Sequence, residues 1–207
     1  RINKLAPELA KADYLLDIHS YSCGGPPFAF VDINADDSQN FARMSGVTEN
    51  LYGFRDAYRA AGVPEDHSYS MGTTEYARTQ GGHALTLECG QHDDPQSIEI
   101  AWRACLGVLY HLGLADISSE LAHNIPRLVT PGNITCTRTT EVVFKNRPGH
   151  FLANWGHLEI VAANTPIAEY EDGERVFAPA HKTRLIMPKD TAPVGEEWIY
   201  FGQVAHF

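Results

Sequence analysis

The first half of the chain alternates strand-like and helix-like hydrophobic patterns. Three short apolar runs predict buried strands at residues 14–18, 28–31 and 84–87. Apolar residues three or four positions apart predict four helices. The first covers residues 1–12, the second contains Phe41 and Met44 and is capped by Asp36 or Asp37, and the third contains Leu51, Phe54, Tyr58 and Ala61. The fourth covers residues 98–112, follows Asp94-Pro95 and stops at Gly113. Residues 67–82 are polar with interspersed glycines, which predicts a long loop. Strands that alternate with helices are typical of an α/β fold.

The pattern changes after residue 120, where short β-rich segments replace the helices. Gly, Pro and Asn separate these segments, which are residues 135–144, 158–162, 183–187 and 198–201. Such spacing predicts a small antiparallel β module. We therefore expect two domains: an α/β domain over residues 1–120, with a mixed sheet and helices, and a β-rich domain over residues 121–207.

Composition and charge limit the classes of function. Hydrophobic residues make up 43% of the 207 positions, which is enough to bury a core. The formal net charge of -10 argues against nucleic-acid binding, which needs basic patches, and no apolar run is long enough to span a membrane. The cysteines lie far apart without a Cys-x-x-Cys pair, at positions 23, 89, 105 and 136. This predicts mostly buried, reduced thiols in a cytoplasmic protein.

Two of the predicted strands end in residues that could carry chemistry, His19 and Glu88. Sites in α/β sheets form at the carboxyl ends of strands, so both side chains could face one crevice. Imidazole is the commonest zinc ligand, and a carboxylate can act as general base toward a metal-bound water. Taken alone, the pattern also fits a His19 that is only hydrogen-bonded, and a Glu88 that caps the following helix or pairs with an arginine.

The residues around these two positions resemble a known family. Asp17-Ile18-His19-Ser20-Tyr21-Ser22 resembles the third-ligand strand of zinc carboxypeptidases. Glu88-Cys89-Gly90, between an apolar strand and a helix, resembles the catalytic-glutamate segment of the succinylglutamate desuccinylase/aspartoacylase family. Arg78 lies ten residues before Glu88, where that family carries an arginine that holds the substrate. The resemblance covers most of residues 1–115, and the family also appends a β-rich C-terminal region.

The resemblance implies a carboxypeptidase-like fold and a zinc-dependent deacylase that cleaves the amide bond of a small N-acylated amino acid or related amide. In that mechanism, His19 is a zinc ligand. Glu88 is the catalytic base that takes a proton from the zinc-bound water and passes it to the leaving amine. Arg78 binds a substrate carboxylate; the alternative for Arg78 is a surface arginine in a polar loop. The implied partner is a small-molecule substrate, and neither nucleic acid nor a membrane is implied. Whether the protein forms a homo-oligomer is left open by the resemblance.

The zinc site implied by the resemblance is incomplete in this sequence. The family takes its first histidine and its glutamate ligand from a His-x-x-Glu motif, which is absent here. Because the chain begins at Arg1 without Met, inside a helix-like pattern, we expect it to lack an upstream segment. One imidazole cannot build a three-ligand catalytic site, so we expect this chain alone to be inactive and to hold zinc weakly or not at all. The alternative is a non-catalytic binding or structural module that keeps the fold without metal.

Two further features predict little chemistry. The histidines at positions 123, 150, 157, 181 and 206 show no ligand spacing, so we expect them on the surface or in loops. Met187-Pro188-Lys189 faintly resembles a biotinyl/lipoyl-type β module, but the usual lysine hairpin sequence is missing. Lys189 is therefore predicted to be unmodified.

Overall fold

The computed structural model describes residues 2–32, 36–64 and 72–205, which form five α-helices and eleven β-strands. The helices are α1 (Ile2–Leu9), α2 (Asp36–Ser45), α3 (Phe54–Ala60), α4 (Thr73–Thr79) and α5 (Gln96–His111). The strands are β1 (Tyr14–Tyr21), β2 (Phe28–Phe30), β3 (Glu49–Tyr52), β4 (His83–Gln91), β5 (Thr135–Phe144), β6 (Gly149–Phe151), β7 (Ile160–Val161), β8 (Pro166–Tyr170), β9 (Arg175–Phe177), β10 (Thr183–Ile186) and β11 (Glu197–Ala205). None of these helices is long and apolar enough to cross a membrane.

Eight of the strands form one mixed sheet in the order β1-β4-β2-β3-β5-β11-β10-β7. The pairs β1–β4, β2–β3 and β3–β5 are parallel, and the remaining pairs are antiparallel. The sheet thus continues from the helix-containing half into the β-rich half through the β3–β5 pair. Strands β6, β8 and β9 form a separate antiparallel sheet. The predicted α/β class with a mixed sheet is confirmed, whereas the domain boundary near residue 120 stays a prediction.

Strand β4 separates an apolar layer from a more polar one. Its residues Leu85, Leu87 and Cys89 are buried in the core cluster to which α2 and α5 contribute. Side chains alternate along a strand, so Thr86 and Glu88 lie on the opposite face. On that face the Thr86 hydroxyl is 3.0 Å from the hydroxyl of Thr74 in α4. Glu88 therefore projects on the α4 side of the sheet.

Two element predictions are wrong. The predicted loop over residues 67–82 contains α4, while residues 65–71 lie outside the described part of the chain. The sequence of this helix is polar, which is possible because only Thr74 and Ala77 of it are buried. The predicted helix through Leu51 instead consists of β3 followed by α3. Gly53, with a φ of 86°, separates the two elements in a left-handed conformation that glycine adopts without strain.

His157 lies in a turn between β6 and β7, so the prediction of a loop position is confirmed for it, but it does not lie on the surface. Its side chain is buried, with the ring centroid 4.4 Å from that of Phe28 and 5.0 Å from that of Tyr21. Its Nδ1 accepts a hydrogen bond from the Met187 N–H at 3.1 Å, and burial lowers its pKa to about 3. A neutral His157 from the β-rich half thus packs against Tyr21 at the end of β1 and Phe28 at the start of β2. The histidines at positions 123, 150 and 181 are exposed as expected, and residue 206 lies outside the described residues.

Candidate active site

The parallel pairing of β1 with β4 brings His19 and Glu88 together. The two residues are direct register partners, and His19 Nδ1 lies 3.9 Å from Glu88 Oε1. Both sit near the carboxyl ends of their strands, where sites form in such sheets. The prediction that these strands are neighbours and that the two side chains lie close together is confirmed.

Asp17 orients the His19 ring from behind. It precedes His19 by two positions on β1, so both side chains lie on the same face of the strand. Asp17 Oδ1 is 3.1 Å from His19 Nε2, and the Thr73 hydroxyl donates to Asp17 Oδ2. The hydrogen bond with Asp17 raises the pKa of His19, and the same bond lowers the pKa of Asp17. A proton held at Nε2 leaves the Nδ1 lone pair on the side of Glu88. The sequence analysis assigned no role to Asp17, although its position two residues before His19 on a strand indicates that both side chains lie on the same face.

Glu88 has the properties of an acid–base group. Its side chain is only 9% exposed, and its Oε2 has no hydrogen-bond partner among the described residues. Burial raises the pKa of Glu88 to about 7, with His19 acting in the opposite direction. A group that titrates near neutral pH can both accept and return a proton. The capping alternative fails, because Asp94 Oδ1 accepts the Gln96 N–H at the start of α5, at 2.9 Å.

The structure does not bring Arg78 to this pair. Its Nη1 donates to the carbonyl oxygen of Ala84 at 2.9 Å, and burial lowers its pKa. Ala84 precedes Glu88 by four positions on β4, about 13 Å along a strand. Arg78 instead lines a cavity of about 660 Å³ that also holds Asp32 and Arg138. The alternative of a surface arginine in a polar loop is wrong, because Arg78 lies within α4. Its role toward a substrate stays a prediction.

The described residues fit part of a zinc site. His19 fits as one ligand, because Asp17 holds one ring nitrogen in the way outer carboxylates support metal-bound histidines. The buried Glu88 has one oxygen without a hydrogen-bond partner among the described residues, and this oxygen could accept a proton from a bound water molecule. However, the described part of the chain contains no group of three or more His, Cys, Asp or Glu residues that could hold a metal ion. The other ligands of such a site would have to come from elsewhere.

We expect Glu88→Gln to stabilise the metal-free chain at pH 8 and to change it little at pH 5. The pKa of Glu88 is raised from 4.5 to about 7 in the folded chain, so the folded state keeps a proton that the unfolded state releases. The contribution of Glu88 to stability is therefore lost as the pH rises from about 4.5 to 7. Removing the carboxyl group restores on the order of 2–3 kcal/mol at pH 8.

Thermal unfolding in the presence of a chelator, at both pH values, measures this difference. Glu171→Gln is the matched control, because Glu171 is exposed in the turn after β8 and lies outside any helix. An equal effect of Glu88→Gln at pH 5 and pH 8 would show that the carboxyl group does not hold its proton in the folded chain.

The fold is similar to that of solved desuccinylase and aminoacylase structures. The succinylglutamate desuccinylase/aspartoacylase from Rhodobacter sphaeroides aligns with a TM-score of 0.69 at 16% identity, over 99% of this chain and 62% of that protein. A succinylglutamate desuccinylase from Silicibacter sp. TM1040 gives 0.67 at 18% identity, over 98% and 62%. Murine aminoacylase 3 gives 0.62 at 11% identity, over 98% and 68%. At these identities the likeness shows the fold. No protein-family model and no curated protein matches the sequence.

Proposed function

We propose that this chain is the C-terminal part of a zinc-dependent deacylase that hydrolyses a small N-acyl amino acid or a related amide. One observation carries the proposal: His19, backed by Asp17, lies 3.9 Å from a buried Glu88 at the carboxyl ends of two neighbouring parallel strands. The shared fold with desuccinylases and an aminoacylase supports the same reaction class. The unpaired cysteines are our basis for placing the protein in the cytoplasm.

In the proposed mechanism, the residues of this chain handle the proton of the attacking water. A bound zinc ion would lower the pKa of that water and polarise the scissile carbonyl. His19 would be one of its ligands, held in orientation by Asp17. Glu88 accepts the proton of the water and later donates it to the amine that leaves. Its pKa near 7 suits both steps, and its burial keeps bulk water away from the carboxylate.

The missing ligands would come from a segment that pairs with the open edge of β1. This strand ends the order of the eight-stranded sheet, and its Tyr14 and Ile18 are more than 40% exposed. The outer side of α5 adds exposed apolar residues at helical spacing, Ile98, Trp102 and Leu109. An apolar strand edge beside an apolar helix face is typical of a surface that another segment covers. The first solved neighbours are also longer, since this chain spans about 62% of their length.

The alternative function is a binding or structural module that keeps the fold without metal. The absence of any group of three potential metal ligands among the described residues favours it. The two functions differ in what happens when this chain is produced together with its upstream segment and zinc. A panel of N-acetyl and N-succinyl amino acids should then be hydrolysed, with activity lost to a chelator and restored by zinc. If the zinc-loaded protein hydrolyses no member of the panel, the binding module becomes the better account.

A further inference from the structure

The strand on the far side of Glu88 carries an aromatic ring that the β-rich half covers. Glu88 on β4 pairs in register with His19 on one side and with Phe28 on the other. Directly opposed residues of antiparallel strands lie on the same face of a sheet with Cβ atoms about 5 Å apart, so the Phe28 ring borders Glu88. The ring of His157, in the turn between β6 and β7, has its centroid 4.4 Å from that of Phe28. A residue of the β-rich half therefore packs on the wall beside the proposed base.

His157 also contacts the loop that connects β1 to β2, residues 22–27. Its N–H donates to the Gly24 carbonyl at 2.8 Å, and its ring centroid lies 5.0 Å from that of Tyr21, where the loop begins. Gly25 leaves room for this contact, since a Cβ on it would lie 2.6 Å from the Cβ of His157. The loop and the turn can approach this closely only because position 25 has no side chain.

The backbone around His157 is held in an unusual conformation. Of the three non-glycine residues with a left-handed backbone in the described part of the chain, two adjoin His157. Leu158 follows it with a φ of 61°, and Met187, with a φ of 44°, donates its N–H to His157 Nδ1 at 3.1 Å. The Leu158 N–H in turn donates to the Leu185 carbonyl at 2.7 Å. Such strain persists only where the surroundings maintain it, and it is concentrated at functional sites.

A general role in core packing does not explain the choice of a histidine at this position. The buried His157 Nε2 has no hydrogen-bond partner among the described residues, a cost that an apolar side chain of similar size would avoid. What the imidazole adds is the Nδ1 acceptor, which fixes the backbone at Met187 and thereby the orientation of the ring. The ring in turn lies on the residue that borders Glu88.

We propose that His157 is a positioning residue for the candidate active site: it holds residues 22–27 and the Phe28 ring in place, and through them the strand ends that carry His19 and Glu88. The effect on turnover rests on the proposed function, whereas the contact between His157 and the loop is a property of this chain alone. The β-rich half thereby takes part in the geometry of the site.

Alkylation of Cys23 by iodoacetamide in the 207-residue chain, followed by mass spectrometry, tests whether His157 holds the loop. Cys23 lies in the loop, and burial raises the pKa of its thiol to about 11, so it should react slowly in the wild type. Gly25→Ala forces the loop away from His157 and should raise the rate at Cys23 about tenfold or more. Gly24→Ala is the matched control, because a Cβ there would meet no atom of the described residues within 4 Å.

The buried thiols of Cys89 and Cys136 are internal standards, because a general loss of stability would expose them as well. Their rates should stay at the wild-type level in Gly25→Ala. His157→Ala removes the other side of the contact and should give the same selective rise at Cys23; if it does not fold, Gly25→Ala decides alone. A wild-type rate at Cys23 in Gly25→Ala, or an equal rise at all three cysteines, would overturn the inference.

Turnover of the complete, zinc-loaded protein separates failure of this inference from failure of the proposed function. Gly25→Ala should lower kcat about tenfold or more and leave KM within a few-fold of the wild type, because displaced catalytic groups slow the chemical step. Gly132→Ala should change neither, since its Cβ would also meet no described atom within 4 Å. If the wild type is active and Gly25→Ala has the same kcat, His157 does not position the site. If the wild type hydrolyses nothing, the proposed function fails, and alkylation of Cys23 alone decides whether His157 holds the loop.

Discussion

Replacing Glu88 with Gln is expected to lower the turnover of the complete, zinc-loaded enzyme by about 10²–10⁴-fold, the usual cost of losing a general base. The amide keeps the size of the side chain but cannot accept the proton of the attacking water. Zinc content should stay at the wild-type level, because Glu88 is assigned no ligand role. Steady-state hydrolysis of the best N-acyl amino acid and elemental analysis of the same samples measure both quantities.

Glu171→Gln is the control for the turnover measurement, since it makes the same chemical change at an exposed position in the turn after β8. It should leave both kcat and zinc content unchanged. A Glu88→Gln enzyme with near-wild-type kcat would show that another group moves the proton.

Replacing His19 with Ala is expected to lower zinc affinity by more than about 100-fold, because losing an outer-shell partner alone costs about 10–100-fold. Activity should be partly recovered in excess zinc, since Glu88 remains in place. Asp17→Asn should give a smaller loss, because it weakens the support of the His19 ring without removing the ligand. Competition with a chromophoric chelator measures the zinc affinities of the wild type, His19→Ala and Asp17→Asn.

His181→Ala controls for the removal of a histidine, since this residue is exposed and distant in sequence from the site. It should bind zinc as the wild type does. Full zinc affinity in His19→Ala would remove the ligand assignment, and with it the main support for a zinc enzyme.

The pairing of the two site strands could be predicted from the sequence because local patterns determine it. The apolar runs before His19 and Glu88 predict two strands, and parallel neighbours place their ends together. The predicted burial holds for β4 but not for β1, because β1 is an edge strand whose Tyr14 and Ile18 are exposed. Strand β5 was predicted with its observed bounds, Thr135–Phe144, because its β-branched residues have no competing helical pattern.

The errors lie where distant residues decide the structure. The helical spacing that links Leu51 to Phe54 is real, but Leu51 is fully buried in a strand that ends at Tyr52, before Gly53. His157 is buried because Phe28 and Tyr21 surround it, and neither is near it in the sequence. The substrate role of Arg78 stays a prediction, and in the structure its guanidinium donates to the Ala84 carbonyl oxygen. Sequence spacing fixes where a residue enters a fold but not the direction of a long side chain.

We propose that His19 belongs to a metal site and that Glu88 acts beside it without binding the metal. The decisive measurement is the zinc affinity of the wild type, Glu88→Gln and His19→Ala, determined together in the protein that includes the proposed upstream segment. We expect Glu88→Gln to bind zinc within a few-fold of the wild type, whereas His19→Ala should bind it more than about 100-fold more weakly. Equal zinc affinity in all three proteins, or a loss confined to Glu88→Gln, would overturn both assignments.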